Sequence, residues 1–389
     1  MCGLITITNY SQGFFVGPVI AEFGWTPGQF FLGFTVMMCA GLITAPVVGS
    51  LAQKYGVRKL GIIGLVGHAI GYVALSVNPG SLPLWYASWA LLAVLAAGSL
   101  PIIWTGVLNG WFVENRGKAV GITMAGTGIG AFLLPPVVEF LIGSYGWRSA
   151  YQAIGLAALV FSLPIVFVLF RENKERTQQA SAANDGAWGL TREEAIRTVK
   201  FWILGAVLFL TVFVVVGLLS NFERIVGAKG VDRTTIAAIA TIIGVTVILG
   251  RLLIGALVDR FWAPGVAVVF FTLPIIAIGL LVNAPFSMPV GVFIAVCIGL
   301  ASGAELDLLA YLTSKYFGPR YYAKVFGGIF AFFTVGAGIS PPIFGELATR
   351  TGSYTMPLYL AAGILVVCLA LFLMLGRYPD QAIAELQHA

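Results

Sequence analysis

The sequence predicts an all-α integral membrane protein of twelve transmembrane helices in two parallel six-helix repeats. Three observations predict it. Hydrophobic residues fill 59% of the 389 positions and charged ones 10%, with a mean hydropathy of +0.95, where a soluble domain carries about 25% charge. Cutting at charged loops and turn residues leaves apolar stretches of about 20 residues, the length that crosses a bilayer as helix. A shift of 206 residues lays the first half on the second at several separate places.

The predicted spans are residues 1–21, 28–52, 59–77, 84–108, 117–142, 149–170, 200–221, 234–258, 264–283, 288–314, 323–348 and 355–376. Met1 leads into CGLITITNYSQGFF with no basic residue before it, which argues against a signal peptide and for a first helix that begins abruptly or is truncated. Under the 206-residue shift Gly49-Ser-Leu-Ala-Gln-Lys-Tyr55 falls on Gly255-Ala-Leu-Val-Asp-Arg-Phe261, Lys118 on Lys324, Pro135-Pro136 on Pro341-Pro342 and Gly146 on Gly352. One offset serving motifs so far apart indicates a duplicated six-helix unit, parallel because six is even. The expected organisation is a six-helix bundle over 1–171, a linker over 172–199 and a second bundle over 200–389. The linker contains TQQASAANDG and reads as a polar tether, with a short amphipathic helix at LTREEAIRTV.

Most of the 22 lysines and arginines fall in loops on the linker's side, while Arg148, Arg224, Lys229, Arg233 and Arg350 fall on the other. That bias places both termini in the cytoplasm of a multi-pass inner (plasma) membrane protein. The net charge of +6 therefore orients the chain and calls for no nucleic-acid partner. Cys2, Cys39, Cys297 and Cys368 all lie inside predicted spans without metal-ligand spacing and read as small apolar fillers. No hydrolytic triad, metal cluster or phosphate cradle is visible, and GTGIG lies inside an apolar span with no strand before it, so neither an enzyme nor a bound cofactor or metal is expected.

GSLAQKYGVRK after span 2 and GALVDRF after span 8, in this twelve-helix frame, resemble the loop signature of the major facilitator superfamily. Gln53 stands where the family usually has Asp, whereas Asp259 keeps the acid in the second half. NYSQGFFVGPVIAEFGWT, NGWFVENRGKAVGITMAGTGIGAFLLPP and the arginine of span 8 resemble the branch of monocarboxylate transporters and oxalate:formate antiporters. The resemblance implies a secondary transporter that binds a small organic anion between its halves and works by alternating access, each chain sufficing as a monomer.

Arg251 carries the functional expectation. It lies on the order of 10 Å inside span 8, its guanidinium cannot be deprotonated, and a lone cation among Val, Ile and Leu costs roughly 3 kcal/mol. A planar fork suits a carboxylate bidentately, and in the branch this position binds the substrate carboxylate. The alternative is a structural arginine paired to a neighbouring helix. Glu305 and Asp307 in GLASGAELDLLAYLTSKYFG lie near the same depth, about 200° apart around span 10. One carboxyl is expected to neutralise Arg251 when the site is empty and to couple transport to a proton, and the other to tie span 10 to Arg260.

Tyr10, Gln12 and Phe14 in span 1, with Asn9 and Ser11, and Trp104 and Asn109 in span 4 sit on helices that the resemblance places around the cavity. Tyr311, Phe332 and Phe333 add aromatic walls. The FGGIFAFFTVGAG stretch has no second cation, which fits a monocarboxylate, with room for an aromatic one, better than a dicarboxylate. His68 reads as a packing residue of the lipid-side set rather than a proton relay, and Arg148 as structural. Gly49, Arg58, Gly255, Asp259 and Arg260 belong to the loop signatures, and Pro135 and Pro341 to glycine-rich spans that form a rocking interface. Two other functions stay open: an antiporter exchanging organic anions, and a drug or cation exporter that exchanges for protons through Glu305 and Asp307.

Overall fold

The computed structural model describes residues 4–99, 116–169 and 188–379 and is helical wherever it has regular structure. The helices are α1 (Leu4–Phe23), α2 (Pro27–Tyr55), α3 (Val57–Ser76), α4 (Leu82–Leu95, followed by a 3₁₀ turn over Ala96–Ser99), α5 (Arg116–Leu169), α6 (Arg192–Ile196), α7 (Val199–Gly227), α8 (Arg233–Val258), α9 (Ala263–Asn283), α10 (Met288–Phe317), α11 (Tyr322–Thr351) and α12 (Thr355–Met374). Their starts follow capping chemistry. Thr26 and Gln29 form a reciprocal capping box ahead of Pro27, Thr191 and Glu194 form another, and Asp232 accepts from the Thr235 amide at 2.8 Å.

Ten helical stretches among the described residues are long and apolar enough to cross a membrane. One of them, Gly126–Val168, has 43 residues, about twice the length a single pass needs. It breaks at Gly146, whose φ of 79° and ψ of 165° leave the helical region, so α5 makes two passes as a first and a second arm. With α1, whose 20 residues have the length of one pass, the count reaches the twelve passes that the sequence predicts. Gly352, the repeat mate of Gly146, likewise takes positive φ, at the end of α11. Both helices need a residue without Cβ to turn there.

Inside the first half α1 and α3 pack on α5, and α2 on α4; inside the second, α8 packs along α10, α7 along α11, and α9 on α10 and α12. The halves meet along α2–α11, α5–α8 and α1–α7. Exchanging each helix for its repeat mate turns the first contact into the second and returns the third to itself. That is the pattern of a two-fold relation between parallel repeats.

These contacts concentrate at the end opposite the linker, called the far end below. A Cβ on Gly244 would stand 2.2 Å from the Phe132 amide nitrogen, so α5 and α8 meet backbone to backbone. Thr35 donates to Gly338 O at 2.5 Å between α2 and α11. Toward the linker end, Gly41, Gly126, Gly255 and Gly327 have nothing within 4 Å of a Cβ position. Among the described residues, the close backbone contacts between the halves lie toward the far end.

The short helix expected in the linker is α6. Just before it, Leu190 donates to Phe317 O at 2.8 Å and Arg320 donates to Trp188 O at 3.3 Å, which fastens Trp188–Leu190 to the loop between α10 and α11. Physically this stretch packs with the second half.

Candidate functional site

Gly250, Gly299 and Gly303 let α8 and α10 press together. A Cβ on Gly299 would meet Thr246, and one on Gly303 would stand 2.2 Å from Val247 O and 3.1 Å from Arg251 N. Asp307 is one further turn along the same stripe, since residues four apart share a helix face. Its Oδ1 lies 3.5 Å from Nη1 of Arg251, with the arginine side chain 14% exposed and the aspartate 39%. The contact is one of charge: among the described residues neither Nε nor Nη1 of Arg251 has a hydrogen-bond acceptor. A guanidinium in that condition holds its counter-ion loosely and keeps donors for an incoming anion.

Glu305, about 200° around α10 from Asp307, faces α7 instead and is buried. Thr211 Oγ1 lies 3.2 Å from its Oε1 and also 2.9 Å from Val207 O and 3.2 Å from Leu208 O. No cation pairs with Glu305 among the described residues. Nor does either carboxyl pair with Arg260, which lies exposed with Asp259 at the end of α8. The two carboxyls do have different partners, and Asp307 is the one that faces Arg251.

Tyr10 on α1 hydrogen-bonds Ser302 on α10 at 3.2 Å, one position before Gly303, and so reaches the same level of α10 from the first half. Phe14, one turn on, faces a small pocket with Tyr10, Gly13, Leu219 and Glu223. Gln12 lies on the opposite face, where it accepts from Tyr151 at 2.7 Å; the structure does not bring it to Arg251. Tyr311 lies one turn beyond Asp307 with Lys315 over its ring, and Phe333 stacks on Phe330. Phe332 packs against Gly205 of α7. Trp104 and Asn109 lie outside the described residues. His68 is buried against Tyr72 with ring centroids 4.9 Å apart, a packing arrangement.

Of the signature residues, Arg58 donates to Phe167 O and covers the Phe167 ring, tying the start of α3 to the end of α5. Gly49 and Gly255 lie in the linker-side halves of α2 and α8. Pro135 and Pro341 lie inside α5 and α11, in the far half, and Pro135 lines the pocket below Phe14. Arg148 is structural: it pairs with Glu22 at 2.7 Å, stacks on Trp147 and donates to Asn78 O at 3.2 Å.

Sequence reasoning missed Ser302 and Thr211, two hydroxyls among many, and a charged cluster at the far end. There Arg233 Nε lies 3.2 Å from Glu139 and 3.5 Å from Glu223, while its Nη2 donates to Phe14 O at 2.8 Å. Glu139 falls inside the predicted span 117–142, and an acid at that depth was the available signal.

Twelve helical passes, duplicated halves and charges inside the helical spans define a polytopic membrane protein built as a transporter. The Major Facilitator Superfamily model matches residues 2–327 and again 224–387, and the chain belongs to that family. It is 27% identical over 334 residues to an uncharacterized 38 kDa protein in the 23S RNA operon of Thermoproteus tenax, covering 86% of this chain and 82% of that one. It is 25% identical to human monocarboxylate transporter 10 over 81% of this chain and 63% of the transporter, and 23% identical to the uncharacterized MFS-type transporter YhjX of Escherichia coli over 84% and 81%.

Proposed function

We propose that this transporter carries a small organic monocarboxylate, with room for an aromatic one, bound by Arg251 between the halves. The observation that carries the reading is the part-buried arginine held by Asp307 through charge alone, its Nε and Nη1 donors unused among the described residues. Likeness to proteins named monocarboxylate transporters supports it. In this reading the incoming carboxylate takes the fork, Asp307 is displaced, and Tyr10 and Ser302 supply the hydroxyls beside it. In this reading the linker is cytoplasmic, and the close contacts between the halves at the far end bar the path to the other side.

Coupling to a proton falls to Glu305, with Asp307 exchanging its charge partner. The Thr211 hydroxyl has the Val207 carbonyl at 2.9 Å and the Leu208 carbonyl at 3.2 Å as acceptors in its own helix. Thr211 also lies within donating distance of Glu305, at 3.2 Å, and no cation pairs with Glu305 among the described residues; a buried carboxyl without a counter-ion is the group placed to carry the proton. The chain works as a monomer in the inner membrane, both termini cytoplasmic.

The test is a thermal-shift screen of purified protein against mono- and dicarboxylates, beside Arg251→Lys. A ligand selective for the folded state adds about 2.7 kcal/mol at a hundredfold excess over its Kd. Monocarboxylates should stabilise the wild type, and the lysine variant, which has a point charge in place of the fork, should bind at least about tenfold more weakly. A variant with unchanged affinity would refute the site. Stabilisation by organic cations alone would favour the exporter.

A further inference from the structure

Arg233 opens α8 at the far end and touches three elements at once. Glu139 on α5 and the Phe14 carbonyl on α1 belong to the first half, while Glu223 on α7 belongs to the second, as Arg233 does. The cluster is part-buried: Arg233 is 35% exposed, Glu139 17% and Glu223 12%. Glu223 also lines the small pocket that Tyr10, Gly13, Phe14 and Pro135 share. Two other charges lie nearby, and that of Arg224 also acts on Glu223. Asp232 caps α8, where the Thr235 amide holds its carboxyl below the ordinary aspartate range, and Arg224 donates to Tyr354 at 2.9 Å.

We propose that the Arg233–Glu139 contact is the latch that closes the far end of the transporter, and that Glu223 is its release group, competing with Glu139 for the same guanidinium. The geometry gives the two glutamates opposite signs. Glu139 pulls Arg233 across the interface; losing its charge leaves the Phe14 carbonyl as the one cross-half partner among the described residues. Glu223 draws Arg233 back toward its own half and repels Glu139 across the interface, so losing its charge commits the arginine to Glu139. A merely structural ion cluster would be loosened by either change. When the far end opens, the bond to Glu139 must break, and Glu223 is in place to keep Arg233 from being stranded without a counter-charge.

The experiment measures the distance between spin labels on Ser144→Cys at the end of the first arm of α5 and Thr234→Cys at the start of α8. It uses double electron–electron resonance in nanodiscs, with Cys2, Cys39, Cys297 and Cys368 replaced. Glu139→Gln is expected to raise the ratio of long to short distances about fivefold, and Glu223→Gln to lower it. Exchanging both signs, Arg233→Glu with Glu139→Arg, should return the short distance and so separate loss of the latch from loss of fold. Either an unchanged distribution in Glu139→Gln, a shift of Glu223→Gln in the same direction as Glu139→Gln, or a double exchange that stays open would overturn the assignment. The readout involves no substrate, so it stands or falls separately from the anion reading.

Discussion

Replacing Asp307 by Asn should tighten anion binding and slow transport. The carboxylate lies 3.5 Å from Arg251; at an effective dielectric of about 20 two unit charges at that separation attract by on the order of 5 kcal/mol. Asp307 is 39% exposed, so water screens most of this and about 1 kcal/mol remains for an incoming carboxylate to overcome. Asparagine keeps the shape and removes the competitor, which raises affinity about fivefold. The same change leaves nothing to reclaim the guanidinium as the anion departs, so release becomes slower and kcat falls together with KM. Isothermal titration with the acid that most stabilises the wild type, beside uptake into proteoliposomes, measures both quantities. An Asp307→Asn variant that binds fivefold more weakly would show that the aspartate positions the substrate instead of competing with it.

Thr211→Val removes the only hydrogen-bond partner of Glu305 among the described residues; uphill accumulation driven by a pH gradient should fall well below wild type while substrate-for-substrate exchange persists, and equal loss of both would end the case for Glu305 as proton carrier. Gly303→Ala places a methyl 2.2 Å from Val247 O, so α8 and α10 must separate; a loss of about 1–3 kcal/mol in stability and weaker anion binding are expected, read by thermal unfolding and titration.

The fold was legible because its signals are redundant. Twelve apolar lengths, one offset of 206 residues and a one-sided distribution of basic residues each point to the same frame. The site was legible in its charges and not in their partners. Arg251, Glu305 and Asp307 stand out as intramembrane ions, yet periodicity says only that the two acids face apart. What sets the rotation of α10 is the stripe Gly299, Gly303, Asp307, spaced four apart: the glycines mark the face that meets α8, and the aspartate follows from them. The same phase argument separates Tyr10 from Gln12, which sit 200° apart on α1 and face different halves. The far-end cluster escapes the sequence because Arg233 stands there as a loop charge that marks topology, and a loop charge says nothing about what packs over it.

The placement of the two arginines on α8 bears on how binding and opening are linked. They are 18 residues apart, about 27 Å along the helix. Arg233 reaches across to the first half, whereas the ionic partner of Arg251 lies within the second. Filling Arg251 therefore does not by itself tie the halves together. At that level the cross-half bond is Tyr10 to Ser302, and a carboxylate on the fork would compete for both hydroxyls. Under the proposed reading the substrate replaces a direct bond between the halves with one that runs through itself. Opening at the far end then requires the Arg233 latch to release, while the central contact travels with the anion.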